Sequence, residues 1–193
     1  RISGARSSFV FGTLPTPQAG APPGPDRTGP HGLLPPLQRE TLAFDRPYEA
    51  GLAWTYNGRS LDHAGWVNWQ RLNTSDHRER FDAGALGALR LSPHVALPLQ
   101  LHIVHEGGQL FAAGPVADSL AAAAGVDVHG AIAGLDRAGI EAYGLVSRYV
   151  PDRGDADRSR DGVAFFSRAS AEGRGWRGHL IVWRGKRFIK DEG

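Results

Sequence analysis

The stretch HIVHE, residues 102–106, places His102, His105 and Glu106 close together, and these are residue types that bind metals and move protons. Spacing decides what they can do. On a strand His102 and Glu106 share a face because their separation is even, while His105 points the other way. The zinc-protease patterns HExxH and HxxEH are not matched. Asp62 and His63 are adjacent, so on a strand they point apart. No G-x-S-x-G is present, and GPDRTGPHG lacks the Lys-Ser/Thr of a phosphate-binding loop. Glu40, Asp45 and Glu49 read as acidity of a long loop. The chain has no cysteine, which excludes thiolate metal sites and Cys nucleophiles. The residues therefore predict no catalytic group, no metal, no cofactor and no enzyme.

The elements that carry these residues are strands. In VALPLQLHIVHE, residues 95–106, one alternate series is Val95, Leu97, Leu99, Leu101, Ile103. The other is Ala96, Pro98, Gln100, His102, Val104, Glu106. The same period of two recurs at residues 6–12, 48–56, 60–72, 81–91, 120–133, 139–150, 163–171 and 176–184. Residues 118–126, DSLAAAAGV, also carry an Asp/Ser cap before an Ala run and offer a helical alternative. Asn57-Gly58 is a hairpin turn signal. Residues 13–47 are rich in Pro and Gly and read as a long loop folded partly onto the body.

From residue 57 onward the connections alternate short and long. In an antiparallel meander this puts all short turns at one end and all long loops at the other, as in outer-membrane barrels. Trp54, Tyr56, Trp66, Trp69, Tyr149, Trp176 and Trp183 fall mostly near strand ends, where interfacial girdles lie, although Trp66 stands on a polar series. Arg71 and Arg148 fall on apolar series near the loop ends. The fold class expected is all-β, an antiparallel up-and-down meander that is part of a transmembrane β-barrel. One region covers 1–193, with the regular meander at 48–184.

Basic and acidic residues number 22 and 20, a net charge of +2. That is no footprint for nucleic acid. FVFGTL, LLPPLQRETLAFDRPYEAGLAW, WVNWQRL and LPLQLHIVHEGGQLF resemble pieces of bacterial outer-membrane barrels of the porin-like and polysaccharide-export kind. The odd strand count and the polar end KDEG suggest an internal fragment. This resemblance implies the bacterial outer membrane as location and its lipid as partner. It implies a passive conduit for a polar solute or polysaccharide. Gln100, His102, Glu106, Asp127, His129, Arg168, Arg177 and His179 are the expected lumen-facing polar residues. Trp66 and Trp69 are candidates for stacking on sugars, which also suits a soluble carbohydrate-binding β-domain with its apolar faces turned inward.

Overall fold

A computed structural model describes residues 1–14, 31–46, 48–108, 114–132 and 134–193. Residues 15–30 and 47 of the Pro/Gly-rich loop lie outside the described residues. Ten strands follow one another: β1 (Ile2–Ser3), β2 (Ser7–Leu14), β3 (Glu49–Asn57), β4 (Leu61–Arg71), β5 (Glu79–Arg90), β6 (Val95–Gly107), β7 (Ala117–Ile132), β8 (Leu135–Val150), β9 (Arg160–Gly173) and β10 (Trp176–Lys186). One short helix, α1 (Leu42–Asp45), precedes β3. The strands form a single antiparallel sheet in sequence order, and the sheet is not closed. The all-β meander is thus present. Residues 118–126 lie in β7, not in a helix.

Short turns do gather at one end. β9 and β10 are joined by Arg174 and Gly175, with φ of 50° and 81°, the paired positive angles of a two-residue hairpin turn. Arg71 departs from its expected face. The β4–β5 register shifts between Trp69 and Arg71, and such a bulge turns the chain over. Arg71 consequently meets Glu106 on the concave side at 2.5 Å. Arg148 stays on the outer side, paired with Asp161 at 3.1 Å.

Alternation sorts the two faces. The convex face exposes Leu61, Leu89, Leu97, Leu99, Val126, Val128, Ile140, Val146, Val163, Phe165, Leu180 and Val182. The concave face buries Asp62, Asn68, Asp82, Gln100, His102, Ser119, Glu141, Ser147 and Arg168 together with Ala53, Ala64, Trp66, Ala121, Ala123, Tyr143 and Phe166. Two segments without strand periodicity cover that concave face. Leu33, Leu34 and Leu37 join its apolar cluster, and Phe188 packs against it. The Leu34 N–H donates to Gln100 Oε1 at 2.8 Å. In the C-terminal segment the Asp191 N–H donates to Ser119 Oγ at 2.8 Å.

Glycine makes room for the large rings. Gly84 faces Trp66 across the β4–β5 ladder, and a Cβ there would run into the indole and the Leu101 carbonyl. Gly144 on the convex side faces open space. Gly84→Val is expected to destabilise the fold by about 1–3 kcal/mol through overpacking. Gly144→Ala should stay within about 0.5 kcal/mol of the parent. Urea unfolding followed by tryptophan fluorescence reads both.

Candidate functional site

The loop-side half of the concave face holds a cluster of acids and bases drawn from four strands and both covering segments. Asp82 enters from β5 with no exposed surface. Its Oδ2 accepts from Gln38 Nε2 at 3.4 Å and from Trp66 Nε1 at 3.3 Å. His102 Nε2 stands 3.3 Å from the same oxygen. Register explains the meeting: Asp82 faces Val104 and Gly84 faces His102, so Asp82 and His102 are diagonal neighbours on one face. The Nδ1 of His102 lies 2.9 Å from the Leu37 carbonyl. A carbonyl only accepts, so Nδ1 carries the proton.

Beside this group His31 stacks flat on Trp66, with ring centroids 3.8 Å apart. Its Nε2 reaches Glu49 at 3.0 Å. Further towards the rim Arg80 bonds Glu106, Asp191 and Glu192 at 3.2, 3.0 and 3.2 Å. Arg46 and Gln70 also donate to Glu192. Lys190 lies among these groups. Burial pulls its ammonium down to about 8, against the opposing pull of Glu192, Asp191 and Asp82.

The wall is notched next to this cluster. The β3–β4 ladder stops at Gly51 and Asn68, although β3 begins at Glu49 and β4 runs to Arg71. Asn68 Oδ1 accepts the otherwise unpaired Ala50 N–H at 3.2 Å. A cavity of about 580 Å³ sits here. Glu49, Asn68 and Gln70 line it from the concave side, and Thr13, Ala50 and Trp69 from the convex side. The opening therefore touches both faces of the wall, with the Glu49 carboxylate at its edge and His31 behind it.

The residues singled out in the sequence are dispersed. Gln100, His102 and Glu106 lie in or beside this cluster. Arg168 is buried lower down, donating to Glu141 at 2.5 Å. Asp127 and His129 line a separate cavity of about 210 Å³ at the short-turn end. Arg177 and His179 lie on the edge strand β10 and are exposed, with Arg177 paired to Glu172 at 3.0 Å. The two tryptophans face opposite ways: Trp66 is buried under His31, and Trp69 is on the convex face with its Nε1 donating to Glu79 at 2.8 Å. Asp45 is taken by Arg39 at 2.9 Å.

Sequence reasoning did not single out His31, Gln38, Asp82, Arg80 or Glu192. Four of these lie in aperiodic segments or at a rim. Asp82 carried a signal, since it stands on the polar series of β5 two positions from the glycine opposite His102.

A family model described as lipid A 3'-O-deacylase-type matches residues 5–193. The chain belongs to that family. No curated protein and no solved structure matches. The family is named for an enzyme that works on a lipid, and this overturns the resemblance to porin-like and polysaccharide-export barrels. The passive conduit without catalysis falls with it, as do transport and the polar solute or polysaccharide partner. The physical reason is plain. Alternation specifies a wall with a polar inner side, whether that side encloses open water or the chain's own residues. Here residues 31–46 and 187–193 cover it.

Arg80 is the hub of the rim network, with its side chain 17% exposed. Arg80→Gln takes the ion partner from Asp191, while Glu106 keeps Arg71 and Glu192 keeps Arg46, and is expected to cost about 1–3 kcal/mol. Hydrogen exchange at residues 188–193 should then accelerate while exchange in β7 and β8 stays slow. Unchanged exchange in the C-terminal segment would show that Arg80 does not hold it.

Proposed function

We propose that the protein is an outer-membrane hydrolase that removes an ester-linked acyl chain from a glycolipid of the lipid A type. The family match supports the reaction class. The observation that carries the placement is the notch: one cavity bordered by convex-face residues on one side and on the other by the buried carboxylate of Glu49, which pairs with His31. A membrane-embedded substrate needs such a lateral route, because its acyl chains remain in lipid while its ester must reach polar groups.

The exposed apolar convex face supports a membrane wall. Strands β4 to β10 run from 11 to 16 residues, enough for the roughly 9–11 that a tilted transmembrane strand needs. No described helix is long and apolar enough to cross a membrane, which says nothing of crossing by strands.

In this reading Glu49 is the general base. It takes a proton from a water molecule whose oxygen attacks the ester carbonyl carbon. His31, stacked on Trp66, holds the carboxylate in place. Asn68 has its Oδ1 engaged by Ala50, so its amide NH2 donates to the oxyanion that forms. Collapse of the tetrahedral intermediate breaks the bond to the sugar oxygen, which leaves with the proton from Glu49. A free fatty acid and a hydroxyl on the sugar result.

The test uses the full chain in mixed micelles with purified lipid A, with products read by mass spectrometry. The parent should release one acyl chain. Glu49→Gln should lower the rate by about 10²–10⁴, the range for losing a general base. Asn68→Ala should lower it by about 10²–10³. Undiminished turnover in Glu49→Gln would remove this site from the reaction, and no release by the folded parent would remove the activity.

A further inference from the structure

A second depression lies on the convex face, on strands β7 to β10. In the order of the sheet β5 and β6 separate it from the notch. Its volume is about 450 Å³. Register shows how it is made. Ala122 faces Val146, Val146 faces Val163, and Val163 faces Lys186. In the next row towards the short turns Ala124 faces Gly144, and a Cβ on Gly144 would meet only open space. Small residues thus leave an apolar dent beside Leu120, Val146 and Val163.

The loop-side end of the dent is charged. Arg148, Lys186 and Arg187 line it, with Asp161 as the one acid. Arg148 takes that acid at 3.1 Å. Among the described residues the side chains of Lys186 and Arg187 have no hydrogen bond or ion pair. Backbone geometry fixes where Arg187 stands. It adopts a φ of 53°, and the chain then crosses β9 at Gly162, where a Cβ would collide with the Arg187 carbonyl and Phe188. Phe188 goes on to the concave cluster, and Arg187 stays at the rim of the dent.

If the convex face is a membrane wall, this rim lies at headgroup level, since β8 ends and β9 begins beside it. The dent then lies below it, among acyl chains. An apolar dent alone accepts any chain. Unpaired cations at its mouth add a preference for a negative head, and guanidinium and ammonium groups pair well with phosphate. Resting on that membrane wall, we propose that the dent holds one phosphate-bearing lipid. Its phosphate sits between Lys186 and Arg187, and one acyl chain lies over Ala122. This lipid is retained rather than hydrolysed, since the groups assigned to hydrolysis stand on β3 and β4.

The experiment uses the full chain in dodecyl maltoside micelles, with lipid adducts counted by native mass spectrometry. One dioleoyl phosphatidic acid should bind per chain. Dioleoyl phosphatidylcholine should bind at least about 10-fold more weakly, because its choline cancels the phosphate charge. The double variant Lys186→Gln with Arg187→Gln removes two exposed cations and should weaken phosphatidic acid binding by about 10-fold or more. Ala122→Trp should fill the dent and weaken binding of both lipids, with circular dichroism confirming its fold. Glu49→Gln should bind as the parent does, which separates this site from the hydrolytic one, and insertion of the parent into vesicles reads the membrane wall independently. Equal affinity for the two lipids would reduce the dent to an unselective apolar surface. Unchanged affinity in the double variant would place the phosphate elsewhere, and weaker binding in Glu49→Gln would place the lipid in the notch. Displacement by millimolar inorganic phosphate would make the ligand a free anion. Each of these four results overturns the proposal.

Discussion

The constraint on which this structure rests is that acids and bases on the concave side of the sheet must find their partners within the chain. A charged group taken from water is tolerated only when paired and hydrogen-bonded. The strands alone do not supply enough partners. Residues 31–46 bring the Leu34 N–H to Gln100, the Leu37 carbonyl to His102 and the Gln38 amide to Asp82. The C-terminal segment brings Asp191 and Glu192 to Arg80. These two aperiodic stretches are therefore as much a part of the fold as the ladder. They turn an inner wall of isolated polar groups into a connected interior.

The rim shows the same constraint acting on the backbone. At the end of β4 the bulge turns Arg71 inward to Glu106, and the lost ladder bond of Ala50 is replaced by Asn68. Regular pairing is given up over a few residues, and a cavity that touches both faces is gained. Bulges gather at rims and beside active sites because they re-aim side chains without disturbing the rest of the sheet. The Glu49–His31 pair lies where that irregularity opens the wall. Trp66, seated over Gly84, fixes the position of the His31 ring.

The wall was legible from the residues. Period-two alternation located β2 to β10 to within a few positions, because a one-residue slip would turn every side chain to the wrong face. Loop lengths gave the ends. The site was not legible. His31 sits in a Pro/Gly-rich segment with no period, and Glu192 in a polar tail. Their meeting with Asp82 and His102 depends on how those segments fold back, which local pattern does not encode. A pair close in sequence was legible, because strand geometry alone sends Asp62 and His63 apart, Asp62 to Arg90 and His63 to Tyr56. Function was missed on the same ground as the site. An alternating wall is common to pores and to enzymes, and only the contents of its inner side separate them.

The central proposal is that the apolar convex face meets lipid and the polar concave face does not. It is tested most directly by single nitroxide labels at positions 99, 140 and 180 on the convex side and at 129 on the concave side, in the protein reconstituted into vesicles. Labels at 99, 140 and 180 are expected to collide readily with dissolved oxygen and little with a water-soluble nickel chelate. The label at 129 should show the reverse balance. Free access of the nickel chelate to 99, 140 and 180 would contradict it, and would place the apolar face in water or against another protein surface.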